Sequence, residues 1–224
     1  MRSWWSFNRS ILFFSALMVL LLLWLSLSFL MQAFSARQEA QFLARYLHID
    51  AVIRATVTTV AQERAASHWL TGLEGIFSAE NSLSIPHSRS DTSFQVLFDE
   101  LQQTVSDKRF SSQLTYQPAY ILAEVADLRK SKQDLALRRE AIISDLNLPL
   151  DDRNTRLQLS AFDFYGRMID KLEQLRYAFQ FRPTQLSREV DTGLMISNAA
   201  WNLNLSHHLL SPLFESYILS LIHI

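Results

Sequence analysis

The sequence contains no cysteine, and only four glycines and five prolines among 224 residues. Without Cys there is no disulfide scaffold, no cysteine-ligated zinc or iron–sulfur site and no thiol nucleophile. So few glycines leave little backbone for the phosphate-cradling loops of nucleotide enzymes. An excess of one charge is missing too: 21 Lys and Arg stand against 22 Asp and Glu. With no basic run, nothing can hold a nucleic-acid backbone, and nucleic acid is excluded as a partner. The signatures GxxxxGK[ST], HExxH, GxSxG and GxGxxG are absent, so the chain reads as a non-enzyme without a cofactor. His207 and His208 are adjacent and would diverge by about 100° on a helix, too far apart to share a metal without outside ligands. The acidic pair Asp151 and Asp152 suits a solvated loop and helix start.

What the chain does have is apolar content, and it is unevenly placed. Residues 11–31 carry no charge and are dominated by Leu and Phe, enough to cross the hydrocarbon core as a helix. Trp4, Trp5 and Trp24 accompany this segment, with Arg2 and Arg9 before it and Arg37 and Arg45 after it. The charge bias across the span is slight, so a cytoplasmic N-terminus rests on this being the first hydrophobic segment, preceded by basic residues. Ala33-Phe34-Ser35 offers small residues of the kind signal peptidase prefers, but the apolar stretch is too long for a signal h-region, so an uncleaved anchor is expected.

Beyond the span the pattern is helical. The prolines at 86, 118, 149, 183 and 212 fall at near-regular intervals and read as helix boundaries. Apolar residues recur at helical spacing between them. Ile53, Val57 and Val60 form one stripe, and Phe94, Leu97, Phe98, Leu101 and Val105 a second. A third holds Ile121, Val125, Leu128, Leu135, Ile142 and Leu146, and a fourth Leu159, Phe162, Ile169, Leu172 and Phe179. No stretch alternates like a strand. The Ser-rich segment 78–93, with Pro86 inside it, is expected to be the longest loop, and 147–154 a second connection with Asp152 or a neighbour capping the next helix. Residues 184–218, with Gly193 and the Asn-rich run 198–204, are less regular. The fold class is therefore all-α: an N-terminal transmembrane helix followed by an extracytoplasmic bundle of long antiparallel helices.

Arginines on apolar seams are the candidate site. Ile53, Val57, Val60 and Arg64 are separated by 4, 3 and 4, which projects Arg64 from a face expected to be buried. Arg176 bears the same relation to Phe162, Ile169 and Phe179, and Arg129 lies near Val125. A buried guanidinium stays charged and must be paired, and its planar fork suits a carboxylate, phosphate, nitrate or similar oxyanion. Two of these converging between helices would form an anion pocket. Otherwise each pairs with an acid on another helix, such as Asp127, Asp170 or Glu173, or reaches out to the rim.

Residues 58–72, TTVAQERAASHWLTG, resemble the signature of the nitrate- and nitrite-sensing (NIT) domain, a helix with a Gln-Glu-Arg triplet followed by small residues. Gln62, Glu63 and Arg64 match the triplet, with Ala65 where the family usually has Gly. Residues 122–142, centred on Leu128-Arg129, and 165–172, YGRMIDKL, are similar to the family's Leu-Arg and Tyr-x-x-Leu-Ile helices. The resemblance covers residues 45–179, and no second Glu-Arg helix follows Phe179. It implies an all-helical sensor module of a bacterial inner-membrane receptor, usually dimeric. It also implies arginines that bind the anion, with Arg64 the best-matched position. The organisation expected is a cytoplasmic N-terminus at 1–10, a transmembrane helix at 11–31 and a periplasmic sensor bundle at 33–218. Residues 219–224, LSLIHI, equal the translation of a common sequencing-adapter sequence, so the natural part of this sequence is expected to stop near Ile218, with the sensor truncated there and the output domain to which it signals missing. The ligand-binding candidates are Arg64, Arg129 and Arg176, with nitrate or nitrite as the small anion and the membrane as a further partner. The competing class is a membrane-anchored helical interaction or structural protein with no small ligand.

Overall fold

The computed structural model describes residues 2–71, 78–112, 114, 116–179 and 195–203. They are all-helical, with no strand among the described residues. The helices are α1 (Arg2–Thr71), α2 (Ala79–Ser106), the short α3 (Lys108–Ser111), α4 (Pro118–Leu146) and α5 (Thr155–Ala178), with α6 over 195–203. The chain divides into two units, 1–47 and 48–224, and the division falls inside α1. In the first unit Phe13, Leu22, Trp24, Phe29 and Met31 lie exposed. Among the described helices, α1 alone is long and apolar enough to cross a membrane.

The second unit is a helical bundle, and its seams explain themselves. In α1 the residues Ile49, Ile53, Thr56, Val60, Glu63, Ser67 and Leu70 are buried, spaced alternately by four and three. In α2 the same alternation runs Leu83, His87, Ser90, Phe94, Leu97, Leu101 and Thr104, and in α5 Ala161, Tyr165, Met168, Leu172, Leu175 and Phe179. This is the heptad spacing of helices that pack knobs into holes. α4 keeps it over Leu135, Arg139, Ile142 and Leu146. Side-chain contacts pair α1 with α2 at Thr56 and Ser93. They pair α4 with α5 at Arg138 with Ser160 and at Asp127 with Lys171.

Two expectations are corrected. Residues 79–106 are one helix of 28 residues with Pro86 inside it, where a loop was expected over 78–93. Ser78 caps it by accepting from the Asn81 amide, and Leu83 and Ser90 sit on the same buried seam on either side of the proline. Tertiary burial of that seam outweighs the one backbone bond a proline removes. In α5 Leu159 is exposed and Phe162 half-buried. The N-terminal part of the seam uses Ala161, Phe164, Tyr165 and Met168 instead, while Ile169, Leu172 and Phe179 of the expected stripe are buried.

The other prolines behave as boundaries where they are described. Pro118 opens α4, and Pro149 precedes the 3-10 turn Leu150–Asp152 that holds the acidic pair. Asn154 caps α5, its side chain accepting from the amides of Arg156 and Leu157. Arg153 beside it gathers helix ends. Its guanidinium donates to the carbonyls of Leu70 and Thr71 at the end of α1, at 3.2 and 3.1 Å, and to those of Leu146 and Leu148, each at 3.1 Å. A cation there meets the negative ends of two helix dipoles. Pro183, Gly193, His207, His208, Pro212 and residues 219–224 lie outside the described residues.

Candidate functional site

Two polar clusters interrupt the bundle core. The first is a layer across α1, α2, α4 and α5, centred on Glu63, whose side chain is 0% exposed. Arg139 meets it fork to fork: Nε donates to Oε1 and Nη2 to Oε2, both at 2.7 Å. The Tyr165 hydroxyl donates to Oε1 at 2.7 Å and the Ser90 hydroxyl donates to Oε2. Arg139 also donates to Ser90 Oγ at 2.6 Å and to Asp91 Oδ1 at 3.0 Å, and Lys132 stands 3.2 Å from that same oxygen. Glu63, Ser90, Arg139 and Tyr165 all occupy heptad seam positions, which is why four helices deliver them to one level. Two carboxylates and two cations balance, and Glu63 accepts four donors, so its burial is compensated.

Burial alone would lower the affinity of Arg139 for its proton, but the hydrogen bonds and charges of Glu63 and Asp91 outweigh it and hold the guanidinium charged. Burial and the Glu63 charge push the Tyr165 hydroxyl well above its usual range, so it remains a donor. Asp91 feels burial raising it, but Arg139 and Lys132 prevail and keep its carboxyl below the usual value.

His87 borders this layer with Nε2 at 3.6 Å from Glu63 Oε1 and without a hydrogen bond among the described residues. Burial lowers its pKa below 6.5, a shift that Glu63 opposes, Arg139 reinforces and Asp91 opposes. His68, lowered by burial and then by Arg64, acts in the same direction. Unfolded, both imidazoles take up a proton near the ordinary value of about 6.5. The folded state resists protonation, so stability is full above that pH and is lost as pH falls below it toward the folded values. We predict that thermal unfolding midpoints stay level from pH 8 to 7 and drop between pH 6.5 and 5. His87→Gln should flatten part of that drop. A variant whose pH profile overlays the parent would remove His87 from the account.

The second cluster joins α1, α5 and α6. Asp50 Oδ2 lies 2.6 Å from Arg54 Nε, out of line for a hydrogen bond. Arg54 reaches α6, donating to the Ser197 carbonyl and hydroxyl at 3.4 Å and to Asn198 Oδ1 at 3.1 Å, with its guanidinium 5.1 Å from the Trp201 ring centre. Trp201 Nε1 donates to Glu173 Oε1 at 2.9 Å, and the other oxygen of Glu173 pairs with Arg176 Nε at 3.0 Å. The Arg176 side chain is 3% exposed. Its Nη1 and Nη2 have no hydrogen-bond partner among the described residues, and neither does Asp50 Oδ1, 3.9 Å from Nη1.

The three arginines singled out from sequence therefore occupy different surroundings. Arg176 is buried in the second cluster. Arg129 is exposed, donating to Gln102 at 3.5 Å over the Phe98 ring. Arg64 is half-buried, while its neighbour Glu63 takes the core position expected for it. Steps of three and of four are both helical: 53-57-60-64 and 53-56-60-63 carry the same alternation in different phase, and the partner helices pack against the second, which takes in Glu63. Sequence reasoning met Glu63 only as a member of the motif triplet and passed over Arg139 and the Asp50–Arg54 pair, because the stripes that select its arginines are built from apolar residues. The signal for Arg139 was the gap it fills between Leu135 and Ile142.

What fold and site define is a helical bundle with an apolar N-terminal helix, a saturated polar layer and a second, unsaturated cluster. Comparison with known protein families, curated proteins and solved structures finds no match for this chain.

Proposed function

We propose that the chain is the ligand-sensing part of a bacterial inner-membrane receptor, anchored by residues 11–31, with the bundle in the periplasm. The observation that carries this reading is Arg176: a buried guanidinium whose two terminal nitrogens have no hydrogen-bond partner among the described residues. Leaving such donors unpaired is costly, and an oxyanion group is the chemistry that answers them. The contact pairs support antiparallel neighbours. Along α1, Asp50, Glu63 and Leu70 meet Arg176, Tyr165 and Arg153, in reverse order. Helical backbone through residues 33–35 supports an uncleaved anchor.

In this reading the ligand binds two bundle states with different affinity, and α1, which contributes to both units, carries the difference. Nitrate and nitrite come from the motif resemblance, as does a homodimer. The test is thermal unfolding of the full chain in detergent micelles against nitrate, nitrite, sulfate, chloride, short carboxylates and amino acids. At 100 times its dissociation constant a ligand should stabilise by about 2.7 kcal/mol. That gain should shrink in Arg176→Lys, whose ammonium keeps the charge and loses the fork. A panel silent throughout, with cooperative unfolding, abandons the sensor. The membrane-anchored interaction protein would then lead. It is favoured by the saturation of Arg139 and by the exposed Leu122, Leu137 and Leu159.

A further inference from the structure

The Arg176 cluster says more about its ligand than that it holds an oxyanion group. Its charges already cancel: Asp50 and Glu173 against Arg54 and Arg176. A bare anion would add uncompensated charge to a buried, balanced site. It would also leave Asp50 Oδ1 as it is, an unpaired acceptor facing a ligand that has no proton to donate. The unpaired atoms thus ask for two things side by side. The Nη1–Nη2 edge of Arg176 matches the two oxygens of a carboxylate. Asp50 Oδ1, 3.9 Å from Nη1 on a side chain 10% exposed, needs a donor.

Resting on the sensory reading above, we infer that this cluster binds a small α-amino acid as its zwitterion. The carboxylate meets Arg176 and the ammonium meets Asp50. In such a molecule the two groups are separated by a single carbon, which suits unpaired partners this close together. Being net neutral, it preserves the balance of charge. α6 touches neighbouring members of the cluster, Trp201 on Glu173 and Asn198 on Arg54, and the burial of the Arg176 and Asp50 side chains, 3% and 10% exposed, favours a short ligand side chain, glycine or alanine.

The experiment uses the full chain in detergent micelles and measures thermal shifts and calorimetric binding for glycine, L-alanine, acetate, methylamine and nitrate. Glycine or alanine should bind at least about tenfold more tightly than acetate or nitrate, a difference that corresponds to about 1.4 kcal/mol. Methylamine should give no shift. In Asp50→Asn the preference for glycine over acetate should collapse, while the unvaried protein supplies the specificity series even if that variant folds poorly. Acetate or nitrate binding as well as glycine, with the shift lost in Arg176→Lys, would overturn the zwitterion and leave the sensory reading standing. No shift with any of the five, in a cooperatively unfolding protein, would overturn the zwitterion, and silence across the wider panel above as well would overturn both.

Discussion

Arg139→Ala should cost about 3–5 kcal/mol of stability, the range for breaking a buried ion pair from one side. The mutation strips Glu63 of two hydrogen bonds and of its counter-charge, leaving a carboxylate with no exposure held only by the Ser90 and Tyr165 hydroxyls. Chemical unfolding of the full chain in micelles would measure the loss. The comparison that gives it meaning is a set of apolar replacements. Glu63→Leu with Arg139→Leu removes both charges, but Ser90 and Tyr165 keep hydroxyls whose acceptor has gone, at about 1–3 kcal/mol each. Adding Ser90→Ala and Tyr165→Phe should bring stability back near the parent, because polar burial is then removed as a unit. A loss under about 1 kcal/mol for Arg139→Ala would mean that water enters the layer and that the hydrogen bonds described do not hold it closed. If the fourfold variant is stable but populates more than one helix register, the layer's role is to fix alignment, as single polar seam residues do in coiled coils.

That layer also marks where sequence reasoning stopped. The helical class and the α4 stripe from Ile121 to Leu146 were legible, because apolar residues there recur at one spacing and every one of them is buried. The bundle's alignment was not. It depends on a seam that admits Thr56, Glu63, Ser90 and Arg139, and no apolar template scores those residues. Arg64 was preferred to Glu63 because three and four are both helical steps, and only the partner helices decide which one is taken. Arg176 stands out in sequence by its spacing from Phe162, Ile169 and Phe179, and it is buried, but its partner Glu173 lies three residues away on the same helix and not on another one. The rest of its surroundings was not legible. Asp50 and Arg54 form an ordinary i,i+4 surface pair in sequence, and Trp201 lies 25 residues beyond Arg176. Only packing of α6 against α1 and α5 joins them.

Two arginines in the apolar segment, Leu21→Arg with Leu22→Arg, should release the protein from the membrane. Residues 11–31 hold fourteen Leu, Ile, Phe and Val, each favouring insertion by about 0.3–0.6 kcal/mol, or about 4–8 kcal/mol together. An Arg at the centre costs about 2.5–3.5 kcal/mol, so one is survivable, especially as its long side chain can reach toward the interface, whereas two cancel most of the gain. The parent chain should resist alkaline carbonate extraction from membranes. The double variant should appear in the supernatant or in aggregates, and Leu22→Ala should remain membrane-bound. Leu20, Leu21, Leu22, Leu23 and Trp24 in the first unit are all exposed. An exposed apolar surface of that extent in water calls for a lipid or protein cover. Alkali-resistant binding of the double variant would assign the covering to a protein partner, and recovery of the parent chain as a monodisperse species without detergent would remove the anchor altogether.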